Sequence, residues 1–275
     1  MGSLKFLPAF ILLFTALRLH ASGDTVLHAT MQQMHKGSFS NFYADNLGNV
    51  YLITANNQVK KYSDKGDSVG LFNDVRRYGD IWSMDVTNPL RIIVYYKDFT
   101  TALVLDRFLN TRNVIDLRNA GITQVKAVAQ SYDNNIWVYD ELDNKIKKID
   151  EQGKLVFESV DFRLLFDDAV MPDKIIDYNR ALYLYDKNNG WYLFDYYGAF
   201  QKKLPYTNWK DVQVADNFLS GYQNNQLISL PLNNFAADAT ALRTSIDITT
   251  ALKAQYQNGR LYVLNAAGLT IYSLQ

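Results

Sequence analysis

Cysteine is absent from the 275 residues, proline occurs five times and histidine three. Without cysteine there is no disulfide, no thiol nucleophile, no zinc ribbon and no iron–sulfur cluster. Few prolines beside an aromatic content of 14% argue against a disordered chain. Neither sign of charge dominates: 28 Lys and Arg stand against 28 Asp and Glu, so no basic field recruits nucleic acid. The sequence also contains no phosphate-binding Gly-rich loop, no dinucleotide fingerprint and no nucleophile elbow.

The one long apolar run is residues 6–17, preceded by Lys5 and followed by the small residues Ala21, Ser22 and Gly23. Its length suits the core of a signal peptide and is too short to span a bilayer. Residues 1–23 are therefore expected to direct export and residues 24–275 to form the mature domain, exported to the periplasm or secreted. No cysteine follows the run, which excludes a lipid anchor. Removing Lys5 and Arg18 leaves a small acidic surplus.

The rest of the chain repeats. Asn49-Val50-Tyr51-Leu52 is echoed by Arg91-Ile92-Ile93-Val94, Asn135-Ile136-Trp137-Val138, Ala181-Leu182-Tyr183-Leu184, Asn217-Phe218-Leu219-Ser220 and Arg260-Leu261-Tyr262-Val263. The spacing, roughly 36–46 residues, matches units of several short strands. A second signal runs in register with the first. Turns at Asn56-Asn57, Asp143-Asn144, Asn188-Asn189-Gly190, Asn224-Asn225 and Ala267-Gly268 each precede a further strand. Asn and Gly recur there because tight hairpins need positive φ. The second unit has Asp98-Phe99-Thr100-Thr101 instead, which predicts a wider hairpin.

Six such units predict an all-β, six-bladed β-propeller. The last unit ends after three strands, and residues 25–30 are strand-like. They are expected to supply the missing outer strand and close the ring. Residues 160–173 read as a long loop between the third and fourth blades. Residues 233–250 read as an extended connection with one strand near 245–248.

Little in this pattern carries chemistry. Outside the leader only His28 and His35 remain, the first in the expected closing strand and the second in the turn after it, with no partner for a triad or a metal. The densest acidic group is Asp161, Asp167, Asp168, Asp173 and Asp177, which are expected to cap turns or face water rather than to act as paired carboxylates or calcium ligands. The doublets Arg76-Arg77, Lys147-Lys148 and Lys202-Lys203 are isolated, the middle one in a strand expected to be solvated. Trp137 and Tyr183 are expected between blades, as is the run Trp191-Tyr192-Leu193-Phe194, with aromatics on both faces. Taken singly, Trp82, Trp191 and Trp209 have no assignment from sequence, and the run from Trp191 leaves open an exposed aromatic face for a partner or glycan.

The second unit carries one further signal. Met84-Asp85-Val86-Thr87-Asn88-Pro89, leading into Arg91-Ile92-Ile93-Val94-Tyr95-Tyr96-Lys97-Asp98-Phe99 and Leu103-Val104-Leu105-Asp106, resembles a segment of exported β-propeller proteins from bacteria that use type IX secretion. That group includes a subunit that plugs the periplasmic mouth of a giant outer-membrane translocon barrel. The resemblance implies a non-enzymatic binding protein, monomeric on its own, held at the outer membrane by that barrel. It implies no catalytic residue, metal or cofactor. The expected docking face is the one carrying the second-to-third-strand hairpins and the inter-blade loops, with Arg76, Arg77, Tyr78, Lys97, Phe99, Phe166 and Met171. Two alternatives stay open: a hydrolase or lyase acting on glycans in the central channel, and a propeller that binds a small ligand or ion.

Overall fold

Strand Arg91–Tyr96 is buried at every position, so it must lie between neighbours on both sides. Its side chains alternate accordingly. Ile92, Val94 and Tyr96 pack with Tyr51 and Ile53 of the preceding unit, whereas Ile93 and Tyr95 pack with Val125, Ile136 and Val138 of the following one. The same division operates all the way round. Six apolar clusters each join two adjacent units, and the last joins Tyr262, Leu264 and Ile271 to Phe42, Val50 and Leu52 of the first. Two-sided burial of this kind can be satisfied only by a closed ring.

The computed structural model describes residues 26–224 and 226–275. They form a six-bladed β-propeller. Blades one to five run in chain order, each an antiparallel meander from the central channel outward. Their inner strands are Phe39–Ala44, Ser83–Asp85, Val125–Gln130, Lys174–Tyr178 and Lys210–Ala215. Blade six holds Lys253–Gln257, Arg260–Asn265 and Gly268–Leu274, and its fourth strand is Ala29–Lys36 from the other end of the chain. Among the described residues helix is confined to the single turn Val75–Tyr78 and the 3-10 turns Leu117–Ala120 and Phe162–Leu164. No helix among the described residues is long and apolar enough to cross a membrane. The expected export segment, residues 1–23, lies outside the described residues.

All six expected second strands are present. The Asn residues expected in turns take positive φ where the hairpins require it, including Asn57, Asn144, Asn224 and Asn258. Four expectations need correction. The closing strand is longer and later than residues 25–30. Val26–Leu27 instead adds in parallel to the outer strand of blade five, Thr240–Thr244, before the chain crosses to blade six. His28 is the crossing point and exchanges both backbone hydrogen bonds with Gln275, and His35 lies within the closing strand rather than in a turn. Between residues 233 and 250 the strand is Thr240–Thr244, not 245–248, because it is Thr240–Leu242 that pairs with Leu227–Ser229. The second-unit hairpin is no wider than those of blades one and three: its connection, residues 97–100, has the same length as 55–58 and 141–144.

The fourth correction concerns Lys147 and Lys148, which are buried, at 5% and 6% exposure, rather than solvated. Lys147 is neutralised by Asp140 at 2.7 Å and by Asp143. Lys148 donates to Asp133 at 2.9 Å and lies over the rings of Trp137 and Tyr196. Buried lysines are tolerated when every charge is answered in this way.

Gly268 begins the strand that pairs with the closing strand, at φ 137°, and a Cβ there would collide with the His35 carbonyl. Gly268→Ala is expected to cost on the order of 2–3 kcal/mol by straining this residue and opening the closure. That corresponds to a thermal midpoint lower by roughly 5–10 °C. An unchanged midpoint would mean that the closing pair does not hold the ring.

Candidate ligand channel

In a four-stranded meander the ends alternate. The second-to-third-strand hairpins and the inter-blade connections therefore emerge on one face, here called the loop face, and the other hairpins on the opposite face. Each inner strand starts at the loop face. The channel between them holds a cavity of about 540 Å³ that all six blades line.

Backbone irregularity aims some of the side chains at its mouth. The inner strands of blades one, three and five each break register near their first residues, between Phe39 and Asn41, Val125 and Val128, and Lys210 and Gln213. A bulge of this kind re-aims the residues within it. Lys126 and Asp211 are such residues, and Asp211 adopts φ 52°. The mouth is rich in lysine, with Lys126 from a bulge, Lys210 beside one, Lys174 and Lys253 from the regular starts of their strands and Lys187 from a hairpin, and with Asp173 and Asp211 as counter-charges. Lys126 bonds to Asp173 at 3.0 Å and donates to the Met171 carbonyl at 2.7 Å. Trp82, half exposed, forms part of the wall, anchored by its ring N–H to the Lys126 carbonyl and covered by the Lys97 ammonium at 4.5 Å. At the opposite end Gln213, Gln255 and Gln257 form a chain of amide hydrogen bonds.

Lys253 is the most perturbed group in this wall. Its ammonium donates to Asn41 Oδ1 at 2.9 Å and to the Phe42 carbonyl at 2.7 Å, and lies over the Tyr43 ring. Burial pulls its pKa down to about 7; Asp211 opposes the shift and Lys174 adds to it. Burial also raises the Asp211 carboxyl above its ordinary value, against the pull of Lys253, and pushes the Tyr43 phenol up to about 12.

The structure disperses the acidic group expected between blades three and four. Asp161 caps the turn Phe162–Leu164 by accepting from the Arg163 backbone N–H and pairs with the Arg163 guanidinium. Asp167 and Asp168 are exposed, and Asp173 sits at the channel mouth. Asp177 enters a polar network between blades three and four, where its carboxylate accepts from Trp137 Nε1 at 2.9 Å, from Ser131 at 3.2 Å and from the Tyr132 backbone N–H. Nearby Asp133 accepts from Lys148 and Tyr196. Burial raises Asp177; at Asp133 burial acts the same way but is outweighed by those hydrogen bonds, which hold it well below its ordinary value. Such a split marks acid–base pairs in enzymes; here both carboxylates accept from fixed donors and tie blades three and four together. No group of three or more metal-ligating side chains occurs among the described residues.

The seven residues expected at a docking face all come from loop-face segments, but not all are presented outward. Tyr78 is buried against Tyr96 and Phe99, and Phe166 is wedged among Phe162, Tyr192 and Phe200. Phe99 and Met171 are exposed. Arg76 and Arg77 are exposed on the single helical turn, and Lys97 pairs with Glu141 at 3.3 Å. Sequence reasoning missed the five lysines of the channel, because each stands alone on its own strand or hairpin.

No protein-family model matches the chain, and no curated protein does. Solved structures do resemble it. A streptogramin B lyase superposes with a TM-score of 0.57 at 16% identity, over 85% of this chain and 78% of that one. A virginiamycin B lyase from Staphylococcus aureus, a catalytically inactive histidine-to-alanine variant with quinupristin, gives 0.56 at 11% identity over 90% and 87%. The β-propeller domain of Cps50 (Swd1) from Myceliophteria thermophila gives 0.61 at 7% identity, over 90% of this chain and all of that one. At these identities the likeness is one of fold.

The depressed pKa of Lys253 has a thermodynamic consequence. Between about 7 and the ordinary lysine value the unfolded chain binds more protons than the folded one, so this residue makes stability rise with pH across that window. Lys253→Met is expected to be at least as stable as the parent near pH 7, with its advantage shrinking toward pH 10. Urea melts of both proteins at several pH values test this. A Lys253→Met protein that is destabilised most at the lower pH would show that the ammonium is instead stabilised in the folded state.

Proposed function

We propose that the chain is a non-enzymatic binding propeller that docks through its loop face, and that it serves as a plug-like subunit at the periplasmic end of a type IX outer-membrane translocon. One observation carries the docking face. An apolar ridge crosses blades two to four there: Phe99, Leu142, Val160, Leu164, Leu165 and Met171 are all exposed, Leu164 by 82%. The ridge is fixed to the disc. Phe162 N–H donates to the Asn144 carbonyl and Ser159 N–H to the Ile146 carbonyl, each at 2.9 Å, which ties the long loop to the hairpin bearing Leu142. The Lys97–Glu141 pair links that hairpin to the one bearing Phe99. Contiguous apolar surface on a rigid support is what a protein partner recognises with little rearrangement. The sequence resemblance supplies the identity of the partner, and a rigid disc of packed sheets suits the closing of a wide pore.

A second reading, a lyase or hydrolase working in the channel, draws on the architecture shared with the streptogramin B lyases, and Lys253 beside Asp211 would carry it. Against it, the Lys253 ammonium is already engaged by Asn41 and the Phe42 carbonyl, and no histidine lines the channel among the described residues.

Removing the whole loop would also delete the buried Phe162, Val170 and Pro172, so the test changes exposed residues alone. A tagged parent and Leu142→Asp/Leu164→Asp are extracted from native envelope in mild detergent, and what co-purifies is identified by mass spectrometry. The parent is expected with a very large outer-membrane barrel and the variant without it, at an unchanged melting temperature. Recovery of the parent alone as a monomer, or of the variant with its barrel, would overturn the reading.

A further inference from the structure

We infer that the loop-face mouth of the channel is a binding site for a small organic polyanion, a di- or tricarboxylate or a phosphorylated metabolite of similar size, held by Lys174, Lys187 and Lys210. This goes beyond the docking role and stands whether or not the loop face engages a barrel.

Three lysines at the mouth lack a paired carboxylate among the described residues. Lys126 is paired with Asp173, and Lys253 is engaged by Asn41 and Phe42. Among the described residues Lys174, Lys187 and Lys210 have no carboxylate within ion-pair distance and no side-chain hydrogen bond, although three separate elements bring them to one opening; Asp211 acts on Lys174 and Lys210 only from a longer distance. Elsewhere in the blades Lys147 is neutralised by Asp140 and Asp143, Lys148 by Asp133, and Lys61 donates to the Arg107 carbonyl. Asp173 and Asp211 are the two acids at the mouth, against five lysines. A concave, low-dielectric wall concentrates that field on whatever enters.

Size and shape narrow the class. A cavity of about 540 Å³ lies within the range that encloses small organic molecules, and it runs along the inner strands from the lysines to Ala44, Thr87 and Gln257 at their far ends. Trp82 offers an apolar wall beside the lysines. Compact ammonium groups on flexible stems suit carboxylate or phosphate oxygens without demanding one fixed geometry.

Lys253 adds a distinct signature. The groups that set its charge are Asp211 on blade five, Lys174 on blade four and Tyr43 on blade one. An anion placed near Lys174 favours the charged form of Lys253, so binding near pH 8 takes up protons.

Calorimetric titration of the full mature chain with citrate, and separately with inorganic pyrophosphate, tests the proposal at pH 8 in two buffers of different ionisation enthalpy. The expectation is saturable one-to-one binding by at least one of them, with proton uptake. Lys174→Gln/Lys210→Gln should weaken it by about tenfold or more, the loss of charge-assisted hydrogen bonds. Lys65→Gln/Lys154→Gln, two exposed lysines on the opposite face, should leave it within about twofold, because exposed distant charges are screened. Preference for citrate or for pyrophosphate assigns the anion to the carboxylate or the phosphate class. No saturable binding of either probe, or equal weakening by both double variants, would overturn the site. Binding without proton uptake would place the anion away from Lys174 and overturn it as well. None of these outcomes depends on barrel capture, so a failure here leaves the docking proposal untouched.

Discussion

Every part of this structure depends on the second strand of each blade being buried on both faces. A strand of that kind cannot sit at the end of a row, because its outer face would be left against water. Five blades in sequence therefore demand a sixth that touches both the fifth and the first, and the sixth has only three strands of its own. The first and last segments of the described chain solve this together. Ala29–Lys36 completes the last blade by pairing with Gly268–Leu274, and Val26–Leu27 adds to blade five on the way. The closure is doubled where the ring is thinnest. Between blades five and six the small side chains Ser220, Gly221 and Ser229 leave a cavity of about 210 Å³, and Leu27 covers part of it.

Closure also determines where chemistry can be placed. The wedges between blades are filled by rings and branched side chains, with Trp137, Tyr139, Tyr192 and Phe194 packed between blades three and four. Lys147 and Lys148, which enter the wedges, are answered by carboxylates. Inner strands face less competition. They border a channel instead of a neighbour on one edge, and their bulges turn isolated polar residues toward a shared space. Five lysines from four blades meet there without any one strand being basic.

The sequence displayed the middle of each blade clearly and the edges poorly, and burial explains the difference. Arg91–Tyr96 and Ile136–Asp140 are continuous apolar runs because both faces pack, and the hairpins that follow carry Asn or Gly where φ is positive. Outer strands lack that imprint. In Ala29–Lys36 only one residue in several meets the core, and Met31 and Met34 point to solvent, so its extent could not be read from its pattern. Thr240–Thr244 was displaced by a few residues for the same reason. The channel was invisible for another reason. Lys126, Lys174, Lys210 and Lys253 are about one repeat apart, and only the closed ring brings them together. Phe99 and Met171 stand exposed in loops whose place the repeat makes legible. Tyr78 and Phe166 were named with them because an aromatic in a loop looks the same in sequence whether it points out or in.

The account's central claim is that one face of the disc does the work. Site-specific photocrosslinking in living cells tests it most directly, with a photoreactive side chain placed at position 164 on the loop face or at position 197 on the opposite face, both highly exposed. The account predicts crosslinks to an outer-membrane protein from position 164 and none from position 197. Crosslinks from position 197 with position 164 silent would contradict it.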